Sequence, residues 1–288
     1  MQQKSYGVSP AYFISSYGFG FTPADVCRSL PELKTIGFDN FQTEVVHEDT
    51  LPQWLNGGAQ LVGQTARDLG LEISQFVSHF MLPAFAGLDV SESDWGLSEM
   101  RSVFELTALY KPKLLVVIPL ADVPVYPRDS DEYYRLYDAT VKKFRTIAEL
   151  AAQSGNMLSV EVQPRSVIHG GREIKQFCED VGFEMGYNFD SGHAWAGRNN
   201  LLEIIFALRG RIYGTHLCDN FGTVNLSNRP GDGTISWEPV LKALLNSGYE
   251  GTLDLEIGTS PEKVISEYTD GLCFIKEFVN EISRENLT

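Results

Sequence analysis

The sequence predicts one α/β domain, residues 1–288, folded as a (β/α)8 TIM barrel. Strand-like and helix-like segments alternate along the whole chain, whose length is somewhat above the roughly 250 residues of eight such units. No break in composition marks a second domain. Four polar residues, Glu161, Asp190, His216 and Glu256, close four consecutive predicted strands. The C-terminal rim of the strands is where a barrel carries its active site.

In chain order, the predicted strands lie near 5–13, 38–46, 71–80, 113–120, 156–163, 184–190, 212–218 and 252–257. Between them PADVCRSLPELKTIG, LPQWLNGGAQLVGQTARDLG, EYYRLYDATVKKFRTIAELAAQSG and SWEPVLKALLNSGY read as helices. Gly37, Gly70, Gly155 and Gly182 stand just before the next strand, where a left-handed helix C-cap favours glycine. The last helix starts near Pro261, with Ser260 as N-cap and Pro261 at the first helical position. An open doubly wound sheet would offer a glycine-rich first turn, and SPAYFISSYGFGF after strand one carries no GxGxxG.

Hydrophobic residues make up 43% of the chain and charged ones 21%, enough apolar content for a large core. The net charge of −15 would repel a phosphate backbone, which argues against nucleic acid as a partner. Cys27, Cys178, Cys218 and Cys273 form no CxxC pair, so neither a zinc ribbon nor a disulfide framework is expected. Nothing reaches the length of a membrane span, and MQQKSYGVSP lacks the apolar stretch of a signal peptide. A cytoplasmic protein with no membrane partner is the expectation.

Side chains alternate faces along a strand. In LSVEVQP, YNFDSGH, YGTHLCD and LDLEIG one parity is apolar (Val160, Val162, Phe189, Leu217, Leu255, Ile257) and packs on helices. The other parity carries the four polar residues together with Ser159, Asn188, Gly214 and Asp254. Three carboxylates and an imidazole at one level of a sheet repel one another unless a positive charge sits among them. A divalent cation is the simplest such charge.

His193 follows Asp190 by three residues in NFDSGHAWAG, and RPGDGTISW and YEGTLDLEIG follow further on. Between about 158 and 258 these motifs resemble the xylose isomerase-like superfamily of metal-dependent sugar isomerase/epimerase barrels. The resemblance implies Glu161, Asp190, His216 and Glu256 as ligands of one divalent ion. Oxygen-rich ligation with one nitrogen favours manganese, magnesium or cobalt over tetrahedral zinc, and manganese is taken first. It also implies that Glu161 and Glu256 act as paired acid/base groups on opposite faces of a sugar or polyol-like substrate, through an enediolate stabilised by the cation. His193, His79, Arg229 and Trp195 become substrate-binding candidates, and Tyr12, Phe19 and Phe221 further stacking surfaces.

Departures narrow the choice. TVNLSN lacks the additional metal-binding pair of the apurinic endonuclease branch, and strand four, VVIPLADV, lacks its histidine. Gly222 and Val167 stand where the ketose-epimerase pattern has Arg and Glu. The leading expectation is isomerisation or epimerisation by proton abstraction beside a carbonyl. An inosose dehydratase-like β-elimination keeps the same first step and remains the alternative. A non-catalytic metal-binding barrel is the third reading, and a homo-oligomer is compatible with all of them.

Overall fold

The computed structural model describes residues 4–285. Eight strands form one sheet: β1 (Tyr6–Val8), β2 (Asn40–Glu44), β3 (Glu72–Val77), β4 (Leu115–Leu120), β5 (Met157–Val162), β6 (Gly186–Asp190), β7 (Ile212–His216) and β8 (Leu253–Leu255). Their order is β7-β6-β5-β4-β3-β2-β1-β8, with every strand pairing parallel. The ring closes just beyond β7, where Leu217 bridges Leu255, Leu217 N donates to Asp254 O at 2.8 Å and Glu256 N to Leu217 O at 3.0 Å. It is a single (β/α)8 barrel.

Local chemistry explains the helices around it. Helix Pro23–Ile36 begins with a reciprocal cap, Thr22 Oγ1 accepting from Asp25 N and Asp25 Oδ2 from Thr22 N, with Pro23 in the first turn. Such a cap stabilises a helix by about 1 kcal/mol. Gly37, Gly70, Gly155 and Gly182 all have positive φ at the helix ends where the sequence placed them. Ser260 departs from expectation: its hydroxyl bonds Glu262 Oε1 rather than capping, and a 3-10 turn, Pro261–Lys263, leads into helix Val264–Glu285. Two predicted strands end early. β1 stops at Val8 because Ser9-Pro10 starts helix Ala11–Tyr17, with Ser9 Oγ accepting from Ala11 N at 3.2 Å. β3 stops at Val77, and His79 opens a 3-10 segment.

The outer face of the sheet packs in one continuous apolar core, including Val160, Phe189, Leu217 and Leu255. The inside of the barrel is unusually polar for a fold usually filled with branched aliphatics. Gln42, Gln75, Ser159, Asn188 and Asp254 are all buried. Two glycines clear the room. A Cβ on Gly7 would lie 2.0 Å from Asp254 Oδ1, and one on Gly214 2.0 Å from Gln75 Oε1. Among the described residues no helix is long and apolar enough to cross a membrane. All four cysteines are free thiols.

Candidate metal centre

A one-residue irregularity decides what faces the rim. Tyr187 pairs with Ile212, but the next pair is Asn188 with Gly214, so Tyr213 is an extra residue in β7. A bulge of this kind flips every later side chain to the other face. Asp190 therefore stands beside His216 rather than beside Thr215.

Glu161 on β5, Asp190 ending β6, His216 ending β7 and Glu256 just past β8 converge at the C-terminal rim. Ligand atoms of Glu161, Asp190 and His216 all lie within 4.8 Å of one another, and Asp190 and Glu256 form a second such group with Cys218. His216 Nδ1 is 2.7 Å from Glu161 Oε2, 3.2 Å from Glu256 Oε2 and 3.9 Å from Asp190 Oδ2. Yet Asp190 Oδ2, His216 Nδ1 and Glu256 Oε2 are buried and have no hydrogen-bond partner of adequate geometry. Orphaned buried polar atoms are costly and rare. Here they aim at one point, and three carboxylates with one imidazole suit a divalent cation. The donor set fits a metal.

Three of the four donors are oriented by a neighbour. Gln42 Oε1 accepts from His216 Nε2 at 2.9 Å, which leaves Nδ1 facing the carboxylates. Asn188 Nδ2 donates to Glu161 Oε2 at 2.7 Å. Asp190 Oδ1 caps helix Ser191–Ala196 by accepting from His193 N at 2.7 Å. Burial disfavours charge on Glu161, but the His216 imidazole, then His193 and Asn188, hold its carboxyl at about 2. Burial would lower His216, while Glu161 and Glu256 raise it to about 10. Glu256 is pushed well above the carboxylate range by burial, reinforced against His216 by the charges of Asp190 and Glu161.

His193 sits beside this group, Nε2 being 3.6 Å from Asp190 Oδ2 and 3.9 Å from Glu161 Oε1. Asn225 Oδ1 accepts from Ser227 N, which turns Asn225 Nδ2 to His193 Nδ1 at 3.2 Å. The other ring nitrogen, Nε2, faces the carboxylates. Gln163 lies 3.1 Å from that nitrogen. His79 is on the same rim, paired with Glu44 at 2.9 Å.

The other candidates are placed differently. Arg229 is drawn toward the C-terminal helix by Asp270 at 2.8 Å and Glu267 at 3.5 Å, and toward Asp232 at 3.0 Å. Trp195 is half-buried, its Nε1 donating to Thr234 Oγ1 at 3.0 Å. Tyr12 is buried in the core with its hydroxyl on Glu32, not on a substrate surface. Phe19 and Phe221 are exposed. Sequence reasoning put Asn188 on the polar face without giving it a role, and missed Gln42, Glu44, Gln163 and Asn225. For Asn188, Gln42 and Glu44 the signal was available: polar side chains in strands that are buried on both faces.

The chain belongs to the xylose isomerase-like TIM barrel family, whose model matches residues 30–278. A curated relative, the inosose dehydratase of Erwinia tasmaniensis, is 28% identical over 160 residues, 48% of this chain and 52% of that one. The chain thus spans about half the length of that relative. Among solved structures, a D-tagatose 3-epimerase-like protein superposes with a TM-score of 0.75 at 19% identity, covering 98% of this chain and 99% of that one. The IOLI protein with a bound zinc atom gives 0.69 at 15% identity, covering 96% and 97%.

Proposed function

We propose that the protein is a metal-dependent enzyme that removes a proton from a carbon beside the carbonyl of a polyhydroxylated ketone. The observation that carries this is the convergence of three unpartnered buried atoms, Asp190 Oδ2, His216 Nδ1 and Glu256 Oε2, at the barrel rim. Glu161, Asp190, His216 and Glu256 hold the ion, for which manganese, magnesium, cobalt and zinc are the candidates. When bound, the cation acidifies the C–H next to a carbonyl and offsets the negative charge that develops on oxygen. Glu161 and Glu256, both close to His216 Nδ1, serve as the proton-moving carboxylates. His193, beside Asp190 and Glu161, contacts a substrate oxygen.

Return of the proton to a carbon gives isomerisation or epimerisation of a ketose. Loss of a neighbouring hydroxyl gives dehydration, the activity named for the inosose dehydratase relative. A specific observation favours the second course, the acid–base pair Glu44–His79 outside the ligand set. The shared first step is tested by incubating protein loaded with Mn2+, Mg2+, Co2+ or Zn2+ with a panel of ketoses and inosose in deuterated buffer. Proton NMR should show loss of the C–H signal beside the carbonyl. No exchange with any metal and any substrate of the panel would refute the reading.

A further inference from the structure

Opposite the ligand-bearing strands, a second acid–base pair occupies the same rim. Glu44 ends β2, and His79 follows β3 by two residues. His79 Nδ1 lies 2.9 Å from Glu44 Oε1, with 3% of the Glu44 side chain exposed and 37% of His79. Glu44 Oε2 is buried without a hydrogen-bond partner. A buried carboxylate is costly unless paired. Its hydrogen-bonded partner here is a side chain more than one third open to solvent. That is a poor arrangement for stability alone and a suitable one for presenting an imidazole.

The imidazole faces a cavity. His79 lines a space of about 660 Å3 with Phe19, His47, Phe80, Leu82 and Trp95, all from loops beyond β1, β2 and β3. This volume is in the range of small-molecule sites. With Nδ1 held by Glu44, Nε2 is the nitrogen left for a ligand. Burial lowers the basicity of His79, but the charge and hydrogen bond of Glu44, then the charge of Glu161, raise it above the ordinary histidine value against a smaller opposing effect of His216.

We propose that His79, oriented by Glu44, protonates a hydroxyl leaving from the carbon next to the one deprotonated at the metal centre, so that the reaction is β-elimination of water. This rests on the proton-abstraction reading above. The balance is complete without a further reactant. A ligand-side glutamate takes the proton from the α-carbon, the C–H electron pair becomes the α,β double bond, and the β-carbon–oxygen bond breaks. The His79 N–H proton joins the departing oxygen as water. The glutamate proton returns to His79 through solvent, and the product is an unsaturated ketone. His79 is the catalytic residue of this step and Glu44 its positioning residue.

The test uses the full chain loaded with Mn2+ and inosose as the probe, following two signals: exchange of the α-hydrogen with deuterium by NMR, and growth of the unsaturated ketone by ultraviolet absorbance. For His79→Ala the expected result is water loss reduced about 100-fold or more, as for loss of a general acid, with exchange falling much less than water loss. Added imidazole should restore water loss, which a structural role would not allow. Glu44→Gln should lower kcat for water loss about 10-fold with KM little changed. His79→Gln, with metal content and melting temperature measured alongside, covers the case in which the alanine variant fails to fold. Wild-type exchange without water loss would overturn this inference and leave the proton-abstraction reading standing, whereas absence of wild-type exchange would overturn both. Equal loss of exchange and water loss in well-folded, metal-replete His79 variants would also overturn it.

Discussion

Gln42 Oε1 accepts a hydrogen bond from His216 Nε2 at 2.9 Å across the barrel, from β2 to β7. The bond orients the ring so that Nδ1, the nitrogen offered to a cation, points at the carboxylates. Partners of this kind commonly change metal affinity 10–100-fold when removed. Gln42→Leu is expected to weaken Mn2+ binding by about that factor, measured by competition with a coloured chelator. Unchanged affinity would show that Gln42 does not set the ligand nitrogen.

Metal uptake should release protons. His216, against the lowering effect of burial, is raised to about 10 by Glu161 and Glu256, and burial raises Glu256 as well, so the metal-free ligands hold protons more tightly than free side chains do. A cation displaces those protons, and affinity therefore tightens as pH rises. Titration calorimetry in buffers of different ionisation enthalpy should give a buffer-dependent heat, and chelator should lower the melting temperature. Buffer-independent heats or a melt indifferent to metal would contradict the centre.

The Glu44–His79 pair makes a pH-dependent contribution to stability. The folded pKa of His79 lies above its unfolded value of about 6.5. Its contribution is fully present below that pH and is lost as pH rises through the folded value. More than a third of the His79 side chain is exposed, so screening keeps the contribution under about 1 kcal/mol. The groups acting on His79 are Glu44, Glu161 and His216. The melting temperature of wild type relative to Glu44→Gln should be highest at acid pH and fall on the alkaline side. A difference flat with pH would mean that the pair is not ionic.

Much of the fold was legible because the period-two pattern of a parallel barrel is strong. Val160, Phe189, Leu217 and Leu255 marked the outer face, and Glu161, Asp190, His216 and Glu256 the rim. The early end of β1 was readable only in Ser9-Pro10, since FISSYGF imitates strand alternation. The extra residue at Tyr213 left no mark on the pattern, because both its neighbours suit either face. In β3, Phe41 pairs with Ile73 but Thr43 with Phe76, an irregularity that turns Ser74 as well as Gln75 to Asp254. Partners such as Gln42 and Glu44 depend on contacts across the barrel, from β2 to β7 and β2 to the segment after β3. No local pattern encodes those distances. Arg229 failed to stand out as an ion-paired residue for the same reason, its acidic partners Glu267 and Asp270 lying on the distant last helix.

The final prediction separates ligation from proton transfer at the two glutamates. Glu161 Oε2 and Glu256 Oε2 approach His216 Nδ1 to 2.7 and 3.2 Å from β5 and from the end of β8. Glu161→Gln and Glu256→Gln keep an oxygen for the ion and remove the base. Metal should still bind, more weakly, and can be restored to full occupancy by raising its concentration. At full occupancy, exchange of the substrate hydrogen with deuterium should fall by at least about 100-fold, the ordinary contribution of a general base. One variant falling and the other not would assign the base to a single glutamate and make the other a ligand only. If both metal-replete variants exchanged at the wild-type rate, neither carboxylate would be the base, and His193, with Nε2 at 3.6 Å from Asp190 Oδ2, would be the next group to replace.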